Sequence, residues 1–215
     1  MAKKKTTRKR KPKRPTVKLQ QDGWDFSPPK PKEVHDLRIE TCPFTIAVDT
    51  REQAPLDFGD INPGTFKRRD DGVILYVPTE RVTMSTGDYS IVGYEDEIAI
   101  ERKELGDLYG CMGHDRTRFG KQILRLSKYN YSVMMIESSW ENLLKGHSHS
   151  RLNPYTIYNT VISWSQKYPN IHWHFWESKQ KCAQVTFDIL HRFWKERNDK
   201  SVLAARAREL KKGLK

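Results

Sequence analysis

Ile98-Ala99-Ile100-Glu101-Arg102-Lys103-Glu104-Leu105-Gly106-Asp107 is the stretch on which the fold turns. Ile98 and Ile100 alternate with Ala99 and Glu101, the two-residue period of a strand leaving a core. Residues i and i+2 of a strand share a side, so Glu101 and Lys103 project together and Arg102 points the other way. A carboxylate beside an ammonium at a strand end suits phosphodiester hydrolysis. The carboxylate holds a divalent cation, and the lysine holds or activates the attacking water and offsets charge on the phosphorane. A solvated strand end is the competing reading, because charged side chains are mostly exposed. The pair alone does not choose between them.

The neighbourhood adds carboxylates. Thr86-Gly87-Asp88-Tyr89-Ser90-Ile91 is a Gly-Asp turn entering a strand, and Asp49 ends the apolar run Phe44-Thr45-Ile46-Ala47-Val48. Asp107 follows Lys103 by about one helical turn, close enough to fold back over the same pocket. Gly87-Asp88 followed by Glu101-Arg102-Lys103-x-x-x-Asp107 resembles the signature of the XPF-type (ERCC4-domain) structure-specific DNA endonucleases. Asp49-Thr50-Arg51-Glu52 is similar to that family's Asp-x-Arg-Glu block, and Arg116, Phe119 and Gln122 resemble its arginine, aromatic and glutamine positions. The resemblance runs from about Phe44 to about Trp194. It implies a restriction-endonuclease-like α/β fold, a mixed sheet flanked by helices, and Mg²⁺- or Mn²⁺-dependent cutting of branched or flapped DNA.

The site it implies is specific. Asp88 and Glu101 are the expected metal ligands, hard oxygens for Mg²⁺ or Mn²⁺, with the Arg102 backbone carbonyl as a third. Lys103 is expected at the attacking water. Asp49 is expected to bind a second ion or orient a water, and Asp107 to anchor Lys103 or Arg102. Arg51, Glu52, Arg102, Arg116 and Gln122 are expected around the DNA phosphate. Three or four converging carboxylates repel one another, so metal is expected to bind weakly without DNA.

Charge places the rest. The 215 residues carry a formal net charge of +12, and ten Lys/Arg with no Asp/Glu fall in the first 18. Such a basic arm is a handle for polyanions, DNA or RNA; a targeting sequence, a ribosome-like RNA tail and a solubilising arm are the alternatives. No apolar run approaches a membrane span, and no apolar segment follows the N-terminal charges as in a secretory signal. Cys42, Cys111 and Cys182 form no Cys-x-x-Cys pair, which leaves free thiols in a reducing, intracellular compartment. That compartment is the cytoplasm or nucleoid in a prokaryote or phage and the nucleus in a eukaryote.

The expected boundaries are a basic, disordered arm over 1–40, a nuclease domain over 41–197 and a basic tail over 198–215. Asp70-Asp71-Gly72 between strand-like runs signals a hairpin; Lys67, Arg68 and Arg69 beside it either touch a DNA backbone or are simply solvated. Leu105, Leu108, Tyr109 and Met112 predict a helix, broken near Gly113-His114-Asp115, with Asp115 as the next N-cap. The helix from Arg116 carries Arg116 and Arg118 near its start for phosphate contact, with Lys121 and Arg125 beyond. Tyr131–Glu137 predicts a strand buried on both faces, and Asn153-Pro154 opens another helix. Ile171–Trp176 alternates as a strand, and a last amphipathic helix spans about Lys179 to Glu196. Strands joined through helices predict parallel neighbours, and the hairpin predicts antiparallel ones elsewhere in the sheet.

The chain departs from the family in lacking a tandem helix-hairpin-helix module after about Glu196. A basic arm or a heteromeric partner is expected to supply the missing grip. Aromatics on the Tyr155–Trp164 helix, the Trp173/Phe175 strand and the Phe187–Trp194 helix exceed what one small core needs, which predicts a homodimer. A catalytically idle DNA-binding partner and an RNA-binding protein stay open as alternatives.

Overall fold

The computed structural model describes residues 38–59, 73–198, 200 and 203–204. The basic arm, the Asp70-Asp71-Gly72 hairpin and Lys67, Arg68 and Arg69 lie outside the described residues, as does nearly all of the basic tail.

The alternation at Ile98 becomes a central strand of a six-stranded sheet. In chain order the strands are β1 (Arg38–Thr41), β2 (Ile46–Asp49), β3 (Val73–Tyr76), β4 (Thr79–Val82), β5 (Tyr89–Ile91), β6 (Ile98–Glu104), β7 (Tyr131–Glu137) and β8 (Ile171–Phe175). The helices are α1 (Leu105–Met112), α2 (Arg116–Leu126), α3 (Trp140–Lys145), α4 (Pro154–Lys167) and α5 (Lys179–Asn198). Spatial order is β4-β2-β5-β6-β7-β8, and β1 pairs with β3 in a separate parallel ribbon. The helical crossovers make β6, β7 and β8 parallel, as their connections predict. The antiparallel pairs of this sheet are made by β5, against β2 and β6.

Strand alternation divides the core in two. Ile98 and Ile100 face one layer with Phe44, Phe187 and Leu190, closed by α5. Ala99, Met134 and Ile136 face the other, beneath α1, α2 and α4. Continuing the alternation past Ile100 sends Glu101 and Lys103 towards the α1–α2 layer and Arg102 towards the α5 layer. The apolar face of α1 (Leu108, Tyr109 and Met112) is buried, which holds this short, glycine-containing helix.

Two expectations change. Asp115 stands at the N-cap of α2 but makes no side-chain capping bond; its carboxylate instead lies 3.3 Å from Arg118. The α5 aromatics fill the core rather than a surface: Phe187 is fully buried and stacks on Phe44 at 5.9 Å. The α4 helix does keep an exposed apolar face, with Tyr155, Tyr158 and Ile162.

Candidate active site

The site is built where β6 outruns β5. Their backbone pairing closes with the Asp88 N–H donating to the Ile100 carbonyl at 2.8 Å. The next outward N–H, that of Arg102, finds the Asp88 side chain instead and donates to Oδ2 at 2.7 Å. Gly87 makes this approach possible. Its φ is +90°, and a Cβ there would stand 3.0 Å from the Ala99 Cβ. Any other residue meets backbone strain and a contact tight enough that Ala99 has to give way.

Glu101 is 5% exposed, and its Oε1 lies 2.5 Å from Lys103 Nζ, which also stands 5.8 Å from the Phe119 ring centroid. The shared face predicted from alternation is therefore present. Burial pushes the Asp88 carboxyl up to about 7, the Glu101 carboxylate adds to the rise, and the Arg102 N–H and Lys103 charge only partly offset it. Burial opposes the charge on Lys103, but its attraction and hydrogen bond to Glu101 outweigh that and hold its pKa above the ordinary lysine value. Lys103 is thus a fixed ammonium that can orient a water or stabilise negative charge, and it is no base at neutral pH.

On the opposite face the Arg102 guanidinium, 6% exposed, is enclosed by carboxylates. It reaches Glu137 Oε2 at 2.8 Å, Glu104 Oε1 at 3.0 Å and Glu52 Oε1 at 3.7 Å. Its fork is occupied within the fold.

Asp49 is 1% exposed and already saturated. Its two oxygens accept from the Arg51 N–H, Arg51 Nε, Arg51 Nη2 and the Met84 N–H at 2.7–3.0 Å. Burial would raise its pKa, but these bonds and the Arg51 charge hold it below the ordinary carboxylate value. Four donors fill the four acceptor sites of a carboxylate, so Asp49 has no free lone pair for a metal. It pins Arg51, whose other Nη2 contact is the Met84 carbonyl at 2.7 Å. Asp107 is exposed in the first turn of α1, and no hydrogen bond or ion pair joins it to Lys103, Arg102 or any other described residue. Among the described residues no three His, Cys, Asp or Glu side chains form a group able to hold a metal ion. The pair Asp88–Glu101 is brought together; Asp49 lies beside it, its backbone N–H donating to the Asp88 carbonyl at 2.9 Å while its side chain is committed to Arg51 and Met84, and Asp107 is exposed.

The cationic candidates on α2 are exposed. Arg116 donates to Thr160 Oγ1 at 3.1 Å and stands 5.7 Å from the Trp164 ring centroid, while Arg118 faces Asp115. Lys121 is exposed on the surface and Gln122 half-buried. Two residues were missed from the sequence. Glu137 clamps Arg102, and its one available signal is its place at the end of a buried strand. Arg81 donates to the Asp49 and Glu52 carbonyls at 2.9 and 2.8 Å and shapes the Asp49–Glu52 turn; nothing in its local sequence marks it.

The ERCC4 domain family matches residues 48–189 of the chain. No curated protein matches it. Among solved structures it resembles XPF from Aeropyrum pernix in complex with DNA, at 19% identity and a TM-score of 0.49, over 71% of this chain and 66% of that one. A second structure of XPF from Aeropyrum pernix gives 19% identity and a TM-score of 0.49, over 69% of this chain and 60% of that one. The chain therefore spans less than two thirds of each of those chains.

Proposed function

The chain belongs to the ERCC4 domain family, and from that premise we propose that it is a metal-dependent DNA endonuclease, acting on branched, flapped or otherwise non-linear DNA in repair or recombination. The observation that carries the reading is the meeting of Asp88, Glu101 and Lys103 at the end of β6, with Asp88 pushed up to about 7. Two carboxylates, one buried and one half-buried, with the charge on Asp88 disfavoured where it stands, fit a hard divalent cation, Mg²⁺ or Mn²⁺, whose charge would relieve it. Asp88 and Glu101 would hold it, with the Arg102 carbonyl on the same strand end as a third oxygen. When bound, the cation supplies Lewis-acid stabilisation of the phosphorane charge.

The chain's own residues do the rest. Lys103, kept protonated by Glu101, orients the attacking water and faces the charge that builds on the phosphate. Arg51, mostly exposed but fixed through Asp49, presents its remaining donor side to the DNA backbone. Arg116, Arg118, Lys121 and Gln122 extend the same phosphate surface along α2. The Arg102 guanidinium and Glu52 hold the strand end, and Asp107 is free to meet substrate or a hydrated ion. The basic arm adds non-specific affinity that salt screens. The exposed Tyr155, Tyr158 and Ile162 of α4 support a homodimer through the nuclease domain, and light scattering at micromolar concentration should give twice 25.3 kDa. No described helix is long and apolar enough to cross a membrane; an intracellular site of action is part of the proposal.

A panel of flap, fork, bubble and linear DNA, with matched RNA, tests this. Cleavage of a non-linear DNA that requires Mg²⁺ or Mn²⁺ and stops with chelator is expected. Binding without cleavage of any DNA substrate returns the idle-partner reading, and preference for RNA returns the RNA-binding one.

A further inference from the structure

Where the C-terminal end of α2 meets the segment leading into Gly87, a cavity of about 250 Å³ is lined by Ser85, Thr86, Asp96, Arg125, Lys128 and Tyr129. Sites for drug-sized ligands run to roughly 300–1,000 Å³, so this one suits a single ionic group better than a nucleoside. Its walls carry two cations. Arg125 and Lys128 are exposed, and neither has an ion-pair partner among the described residues.

A cation in the last turn of a helix needs no ligand to explain it, because it meets the negative end of the helix. The hydroxyls do need one. Thr86 is 4% exposed, and its Oγ1 has no hydrogen-bond partner among the described residues. That oxygen is closed to water, so a ligand oxygen recovers the cost of the unpaired hydroxyl only once the Thr86 side chain turns towards the cavity. Beside it, Ser85 Oγ and Tyr129 Oη lie 3.0 Å apart; one of them donates to the other, so one hydroxyl hydrogen is left to give. Two free cations with hydroxyl donors between them describe an oxyanion site.

The geometry points to a subsite for one phosphodiester of the DNA backbone, separate from the phosphate being cut; this rests on the DNA-cleaving reading above. Thr86 lies two residues before Asp88, so the subsite and the Asp88–Glu101 pair are tied by one short segment. Asp96 on the lining selects among phosphates. Its carboxylate opposes the second charge of free phosphate more than the single charge of a diester.

The test uses the full chain without divalent cation, so that binding is read apart from cleavage. Fluorescence anisotropy with a labelled flap DNA compares wild type, Arg125→Ala/Lys128→Ala and, as a control for charge removed elsewhere, Lys167→Ala. The double variant should bind about tenfold more weakly near 0.1 M salt, and the log–log salt slope should shrink by about 0.9 for each phosphate no longer neutralised. The control should leave both nearly unchanged. Thermal melts check folding, and Arg125→Gln/Lys128→Gln replaces the alanine pair if that pair does not fold. A double variant that matches Lys167→Ala overturns the subsite. Calorimetry with inorganic phosphate separates the sources. Tight binding to wild type that the double variant loses, with DNA affinity intact, assigns the cavity to free phosphate and overturns the diester assignment. If wild type fails to bind DNA at all, the broader DNA reading fails, and the diester assignment falls with it.

Discussion

The two faces of β6 both carry clustered charge, and they are built to opposite ends. On the α5 side Arg102 is gripped by Glu137, Glu104 and Glu52, and these carboxylates and its neighbours hold its pKa up against the opposing effect of burial. On the α1–α2 side Asp88 and Glu101 share one ammonium, and Asp88 is left with its carboxyl at about 7. The first cluster has its charges answered and behaves as structure. The second has a carboxylate in a place that disfavours its charge, the condition that often marks a reactive site. Residues adjacent in sequence thus divide into a clamp and the proposed reaction centre by strand alternation alone.

That contrast breaks most visibly at Arg102. Arg102→Met should destabilise the fold by about 3–5 kcal/mol, because Glu137 and Glu52 are left partly buried without their partner; chemical denaturation measures it, and a loss below about 1 kcal/mol makes the clamp ornamental. Next, Asp49→Ala should cost about 2–3 kcal/mol by stranding the Met84 N–H and the Arg51 donors. If Asp49 were instead a metal ligand, its removal would lower metal affinity with little effect on the melt, and calorimetry with Mn²⁺ separates the two. Gly87→Ala should cost about 1–2 kcal/mol from its positive φ alone, and more if Ala99 cannot give way.

A pH dependence of stability sharpens the same comparison. Folded Asp88 keeps its proton up to about pH 7, while in the unfolded chain it releases it near the ordinary carboxylate value of 3.8. Between those values the folded state binds more protons, so stability without divalent cation should fall as pH rises, the penalty being absent below the lower value and complete above the upper. Asp88→Asn should flatten that part of the profile; an unchanged slope means Asp88 is not the strained member.

Much of this was legible in the sequence because it depends on local period. The alternation Ile98–Lys103 specified the strand, its two faces and the Glu101–Lys103 pair. The apolar run Tyr131–Glu137 marked its parallel neighbour. Less legible was whatever depends on lone pairs already taken. Asp49 reads as a ligand by type and position, but only the fold shows Met84 and Arg51 filling its oxygens. Arg102 reads as a free cation because Glu137 is 35 residues away, and the parallel register of β6 and β7 brings it level with Glu104. Asp107 sits one turn after Lys103, yet a helix starting at Leu105 leaves it in solvent. The α5 aromatics were counted as surplus because the sequence does not show that α5 alone closes the layer under Phe44, where Phe187 is spent.

The most direct test of the central claim sets Glu101→Gln beside Arg102→Met, with cleavage of flap DNA in Mn²⁺ or Mg²⁺ and the melting temperature measured on both. Glu101→Gln should keep the wild-type melt and DNA affinity while cleavage falls at least roughly a hundredfold. Arg102→Met, assayed where it is still folded, should melt lower yet cut at a rate within several-fold of wild type. Near-normal cleavage by Glu101→Gln, or a hundredfold loss in Arg102→Met with its melt intact, would place the chemistry on the other face of β6 and contradict the account.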